Sequence, residues 1–180
     1  MVKPTEIQAK ELAELSDFVL EVMMSMDVWS NEELTKLIKL DLGVLRRNAT
    51  QRHGVTRWKA GIRKPSGPND VDVIDLHPRL LSDEWLAYAA WVLHHEYIHA
   101  LGYLPHDSTF KSLEDMWPSI ESKSMGKGFT EMLRRERAEW LWVCPKCAKE
   151  HPRQKRGNGK YLCRICKIRL KDVPNHASQS

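Results

Sequence analysis

Near the middle of the chain, His95-Glu96-Tyr97-Ile98-His99 sets two imidazoles four positions apart, with a carboxylate beside the first. On a helix, positions i and i+4 share one face a turn apart, so both rings can reach one ion. Zinc lowers the pKa of a bound water to roughly 7, and a glutamate at i+1 can take its proton. A catalytic zinc site has three protein ligands and one open position. His106, past Gly102 and Pro105, is the expected third ligand, and Glu114 is its competitor. Asp107 is a candidate to orient a ligand histidine, and Tyr103 a weak candidate to stabilise an oxyanion. His94 points about 100° away around the helix, which suits a supporting or surface role. His53 and His77 have no matching partners in sequence and read as structural or exposed. The plain alternative, two exposed histidines on an ordinary helix, fits poorly with the apolar residues around the motif, among them Leu86, Ala89, Ala90, Leu93 and Leu101.

A second pattern lies downstream. Cys144-Pro145-Lys146-Cys147 and Cys163-Arg164-Ile165-Cys166 stand fifteen residues apart, the spacing of two knuckles closing a tetrahedral zinc site. All four cysteines of the chain are used. A redox pair, a disulfide or an iron–sulfur site are the alternatives, but a redox motif would use one CxxC near a βαβ pattern, which is absent. So small a module has little apolar core, and metal binding must supply much of its folding free energy.

Charge separates the two regions. Residues 144–172 hold ten basic and two acidic side chains, a net +8, against −4 for residues 1–143. A basic module on a mildly acidic body suggests a polyanionic partner, most often nucleic acid. Arg153, Lys155, Arg156 and Lys160, in a loop read as a flexible basic finger, are the candidate phosphate contacts. Tyr161 or Trp142 could stack on a base, although ribbon aromatics more often pack. The composition is that of a foldable chain, with 42% apolar and 29% charged residues. The longest uncharged apolar run, residues 85–93, is under half a membrane span. Charges at Lys3, Glu6, Lys10, Glu11 and Glu14 leave no signal-peptide core, so the expectation is a reducing, intracellular setting that favours metal over disulfides.

The elements that must position these residues follow from periodicity and caps. Thr5 with Gln8, and Ser30 with Glu33, have capping-box spacing, predicting a helix over residues 4–26 and a shorter one ended by Gly43. Residues 44–64 read as short β structure, 64–70 as a loop, and 71–76 as a strand stopped by Pro78. Ser82 or Asp83 starts the apolar helix that carries the histidines and runs to Leu101. Asp107 or Ser108 starts another, ended by Pro118. Residues 119–128 read as a connection, 130–139 as a charged helix, and 175–180 as a frayed tail. The expectation is an α+β chain: a body over 1–139, a small β module over 140–174, then the tail.

His95-Glu96-Tyr97-Ile98-His99-Ala100, followed by His106-Asp107-Ser108-Thr109-Phe110, resembles the SprT/Spartan family of zinc metalloproteases and the related WLM family. Asp72-Val73-Ile74-Asp75-Leu76-His77-Pro78-Arg79-Leu80-Leu81 is similar to the strand and leader segment before that helix. Asn48-Ala49-Thr50-Gln51-Arg52 is similar, weakly, to another short SprT signature. Tyr161-Leu162-Cys163-Arg164-Ile165-Cys166 with Leu170 looks like the family's C-terminal ribbon. The likeness covers roughly residues 15–172, and the connection before His106 is closer to the WLM type.

Together the residues and the resemblance imply a minimal zincin-like metallopeptidase domain with a small sheet, followed by a β zinc ribbon. Two zinc ions per chain are expected: a catalytic one on His95, His99 and His106, and a structural one on Cys144, Cys147, Cys163 and Cys166. Glu96 would be the general base. The resemblance implies cleavage of proteins bound or crosslinked to DNA; the chain itself is expected to be a monomer that engages no membrane, in the cytoplasm or, in a eukaryote, the nucleus. An inactive nucleic-acid-binding protein, or a hydrolase of a small substrate, are the alternative readings.

Overall fold

A computed structural model describes residues 2–176. The chain is α+β and folds as two compact units, Met1–Gly126 and Lys127–Ser180. The division falls upstream of the 139/140 boundary read from sequence, so the charged helix goes with the cysteine module.

The first unit opens with helix α1, Glu6–Met24, and α2, Asn31–Leu37. Both start where the capping boxes place them: the Thr5 and Ser30 hydroxyls accept from the backbone three residues on, and Gln8 and Glu33 reach back. The second helix stops at Leu37 with Ile38 as its cap, rather than at Gly43. Gly43 instead lies within strand β1, Leu42–Val44, where a Cβ would meet Asp75 Oδ1. Strands β2, Gly54–Trp58, and β3, Val71–Leu76, complete a three-stranded sheet of order β1-β3-β2. In it β1 runs parallel to β3 and β2 antiparallel. The central β3 is buried along nearly its whole length, and β2 is an edge.

Residues 83–85 form one 3-10 turn, and α3 follows over Leu86–Ala100. Ten of its fifteen residues are buried, because the helix packs against α1, β2, β3 and the two short helices after it. Those are α4, Ser108–Glu114, and α5, Ile120–Ser124. The connection expected over residues 119–128 is therefore largely helical: Ser119 caps α5 by accepting from Ser122 N. Gly102, at φ 102°, turns the chain after α3, and a Cβ there would press on the Ser66 carbonyl.

The second unit contains all but the first residue of α6, Gly126–Arg137, and a sheet of order β5-β4-β6, with β4 at Trp140–Val143, β5 at Glu150–Arg153 and β6 at Lys171–Pro174. Both pairings of β4 are antiparallel. The tail expected from residue 175 does not begin there. Asn175 is 4% exposed, and its Nδ2 donates to the carbonyls of Arg135 and Ala138 at 2.7 Å. This clamps the end of β6 to the last turn of α6. The remainder of the expected tail, residues 177–180, lies outside the described residues. No helix among the described residues is long and apolar enough to cross a membrane.

Candidate metal centres

In the first centre, α3 presents His95 and His99 one turn apart, and the turn at Gly102 brings His106 back over them. His106 Nε2 lies 3.1 Å from His99 Nε2 and 3.3 Å from His95 Nε2. His95 Nδ1 meets Glu114 Oε1 at 2.7 Å, and His99 Nδ1 meets the Tyr103 carbonyl at 2.8 Å. Both acceptors need a proton on Nδ1, which leaves each Nε2 with its lone pair facing the others. With His106 in the matching tautomer, all three lone pairs would turn to one point, where a cation can take them. Two nitrogens each roughly 2.0–2.1 Å from one tetrahedral zinc stand about 3.3–3.4 Å apart, so the donor set fits that ion.

The supporting residues differ from those expected. Glu114 is outside the converging set and behind His95, where Lys123 Nζ holds its other oxygen at 2.8 Å. Burial pushes its carboxyl up, but Lys123 and His95 outweigh this and hold it below the usual range. Asp107 is not aimed at a ligand; it caps α4 by accepting from Phe110 N at 3.0 Å. Tyr103 contributes its backbone carbonyl, while its ring packs edge-on against Trp29. The ring of Phe110, four residues after His106, lies 4.6 to 4.9 Å from all three ligand imidazoles and walls the centre on an apolar side. His94 is fully buried against Trp117, and His53 bonds the Tyr88 hydroxyl at 2.6 Å. His77 is buried and accepts from Arg79 N.

Glu96 is 6% exposed, and burial raises its pKa. Thr56, on the edge strand β2, donates to Glu96 Oε2 at 2.7 Å. Gly54, two residues earlier on β2, leaves room for the carboxylate: a Cβ there would come 2.8 Å from Glu96 Cγ and Oε1. Thr56 did not stand out in the sequence, where Gly54 reads only as a turn point, because nothing local marks a strand position that will face a helix forty residues away. His95, Glu96, His99 and His106 line a cleft of about 670 Å³ that also includes Gly54, Thr56 and Trp58.

In the second centre, each CxxC is closed by the same pair of backbone bonds. Ala148 N donates to Cys144 O and Cys144 N to Lys149 O; Lys167 N donates to Cys163 O and Cys163 N to Ile168 O. Ala148 and Lys167 both adopt positive φ, at 55° and 57°, which turns each knuckle back on itself. The four thiol sulfurs lie within 4.8 Å of one another, with Cys147 and Cys163 at 3.8 Å. Sulfurs at about 2.3 Å around one tetrahedral zinc stand roughly 3.8 Å apart, so this set also fits. Backbone donors at Cys147 and Lys146 pull the Cys144 thiol down to about 6, while the neighbouring Cys147 pushes Cys166 up to about 12.

Arg153, Lys155, Arg156 and Lys160 are all exposed, but their loop is not a free finger. Asp172 accepts from Gly157 N and Asn158 N at 2.8 Å, and Trp142 Nε1 donates to the Lys155 carbonyl. Arg153 lies over the Trp142 ring and Arg156 over Trp140. Tyr161 stacks on Trp142 at 4.2 Å and is 50% exposed. Within the described residues, then, one three-histidine and one four-cysteine group could each hold a metal ion. Compared with protein-family models, curated proteins and solved structures, the chain finds no match.

Proposed function

We propose that the chain is a zinc-dependent endopeptidase with a SprT-like, zincin-type catalytic unit and a zinc ribbon, acting on proteins bound or crosslinked to DNA. One observation carries the catalytic reading: three histidine Nε2 atoms converge beside a buried glutamate in an open cleft. Zinc held there by His95, His99 and His106 would polarise the scissile carbonyl and acidify a water. Glu96 takes the proton from the attacking water and delivers it to the leaving amine. The raised pKa from burial makes its carboxylate a stronger base. Thr56 and the bare backbone of Gly54 fix the carboxylate's rotamer. The edge strand β2 borders the cleft, so an extended peptide can pair with it and lay its carbonyls towards the histidines.

The DNA reading rests on the ribbon's charge of +8 and on the exposed arginines and lysines of residues 153–160. The half-exposed Tyr161 offers a ring to an unstacked base. Nothing else in the chain calls for such a module on a small-substrate hydrolase. The test is cleavage of a DNA-bound protein by the zinc-loaded chain, with and without DNA. Cleavage that needs DNA and stops on chelation is expected. A folded, two-zinc sample that cuts no protein under either condition would overturn the reading.

A further inference from the structure

The loop between β1 and β2, residues 45–53, holds Arg46, Arg47 and Arg52 and no acid, although the body as a whole is net negative. It leaves the carboxyl end of β1, alongside the carboxyl end of its parallel partner β3. There Arg46, Asn48, Arg52, Arg57 and Asp75 line a pocket of about 420 Å³.

Its arginines are not tied up by surface pairing. Asp75, 1% exposed, accepts from Nε of Arg57, which fixes that guanidinium and leaves its two terminal nitrogens as donors. The side chains of Arg46 and Arg52 enter no ion pair among the described residues. Three guanidiniums against one carboxylate give the pocket about two net positive charges. Oδ1 of Asp75 is buried against Gly43, out of a ligand's reach, so the carboxylate serves the pocket by holding Arg57.

We propose that this pocket binds a phosphate monoester or hydrogenphosphate group. The guanidinium fork matches phosphate oxygens bidentately, and two net charges match a dianion. A monoester or free phosphate carries close to two negative charges near neutral pH, whereas a backbone diester carries one. The group comes either from free phosphate or from the terminus of a nucleic-acid strand. The site stands whether or not the metal cleft is proteolytic, because its readout is binding.

The experiment is phosphate titration of the zinc-loaded full chain by calorimetry and 31P NMR, with Arg46→Ser and Arg46→Lys beside wild type. Displacement is then tried with one oligonucleotide carrying a 5′-phosphate and the same oligonucleotide without it. Zinc content and melting temperature check the fold of each variant. Submillimolar saturable binding is expected, weakened at least tenfold by Arg46→Ser and less by Arg46→Lys. Better displacement by the phosphorylated strand identifies a strand terminus; displacement by neither identifies free phosphate. Absence of saturable binding, equal binding by Arg46→Ser, or equal displacement by the unphosphorylated strand would overturn the proposal.

Discussion

The Glu96 carboxylate lies in a space that exists because residue 54 has no side chain. Gly54→Ala should therefore push it out of line, lowering kcat at least tenfold while zinc content and fold persist; unchanged turnover would remove Gly54 from the account. Behind the ligands, Glu114 holds His95 by its Nδ1, and Lys123 holds Glu114. Glu114→Ala should weaken zinc at the histidine centre by roughly 10–100-fold in chelator competition, and leave the cysteine centre untouched. His94 gives a pH dependence of a different origin. Burial lowers its pKa to about 4, from 6.5, and neither ring nitrogen has a hydrogen-bond partner among the described residues. The unfolded chain takes up this proton near pH 6.5 and the folded chain resists until about 4. Stability from neutral His94 is thus complete above pH 6.5 and falls as pH drops towards 4, by at most ~1.4 kcal/mol per unit. Urea midpoints of metal-free protein between pH 7 and 4.5 measure this, and His94→Phe should flatten the slope.

Among the elements, those legible in the sequence were the ones whose signals are local. The capping boxes at Thr5 and Ser30, the apolar helix around the histidines and the paired CxxC knuckles all depend on residues within a turn or two of each other. What escaped depended on distant neighbours. Gly43 read as a helix stop, but it is there to admit the Asp75 carboxylate from another strand. Residues 119–128 read as a connection because serine and glycine are weak helix formers, yet the Ser119 cap and packing on α3 make α5. Asp107 read as an aide to the metal, but its carboxylate was already taken by the cap of α4. Asn175 read as part of a tail, and only the fold reveals the carbonyls of α6 that it caps. In the second unit, Asp172 closes the 157–158 turn by accepting from two successive backbone N–H groups. Asp172→Ala should loosen that turn, seen as faster amide exchange at Gly157 and Asn158, without loss of the cysteine-bound metal.

Across the whole chain the charge is divided, +8 on the cysteine module against −4 on residues 1–143, and on the proposed reading this division lets DNA act as a scaffold. Holding enzyme and substrate on one strand raises their effective concentration without any new contact between them. Reversing Arg153, Lys155 and Arg156 should weaken DNA binding, reduce the salt slope by about 2–3, and lower cleavage of a DNA-bound protein in parallel, with zinc unchanged. The claim on which all of this depends is that Glu96 moves the proton at a three-histidine metal centre. It is tested most directly by comparing wild type with Glu96→Gln, matched for zinc content and DNA affinity, in cleavage of a DNA-bound protein. Glu96 is not among the converging ligands, so the variant should keep both metals and its fold while its turnover falls by roughly 10²–10⁴-fold. Turnover near that of wild type at equal zinc content would contradict the account.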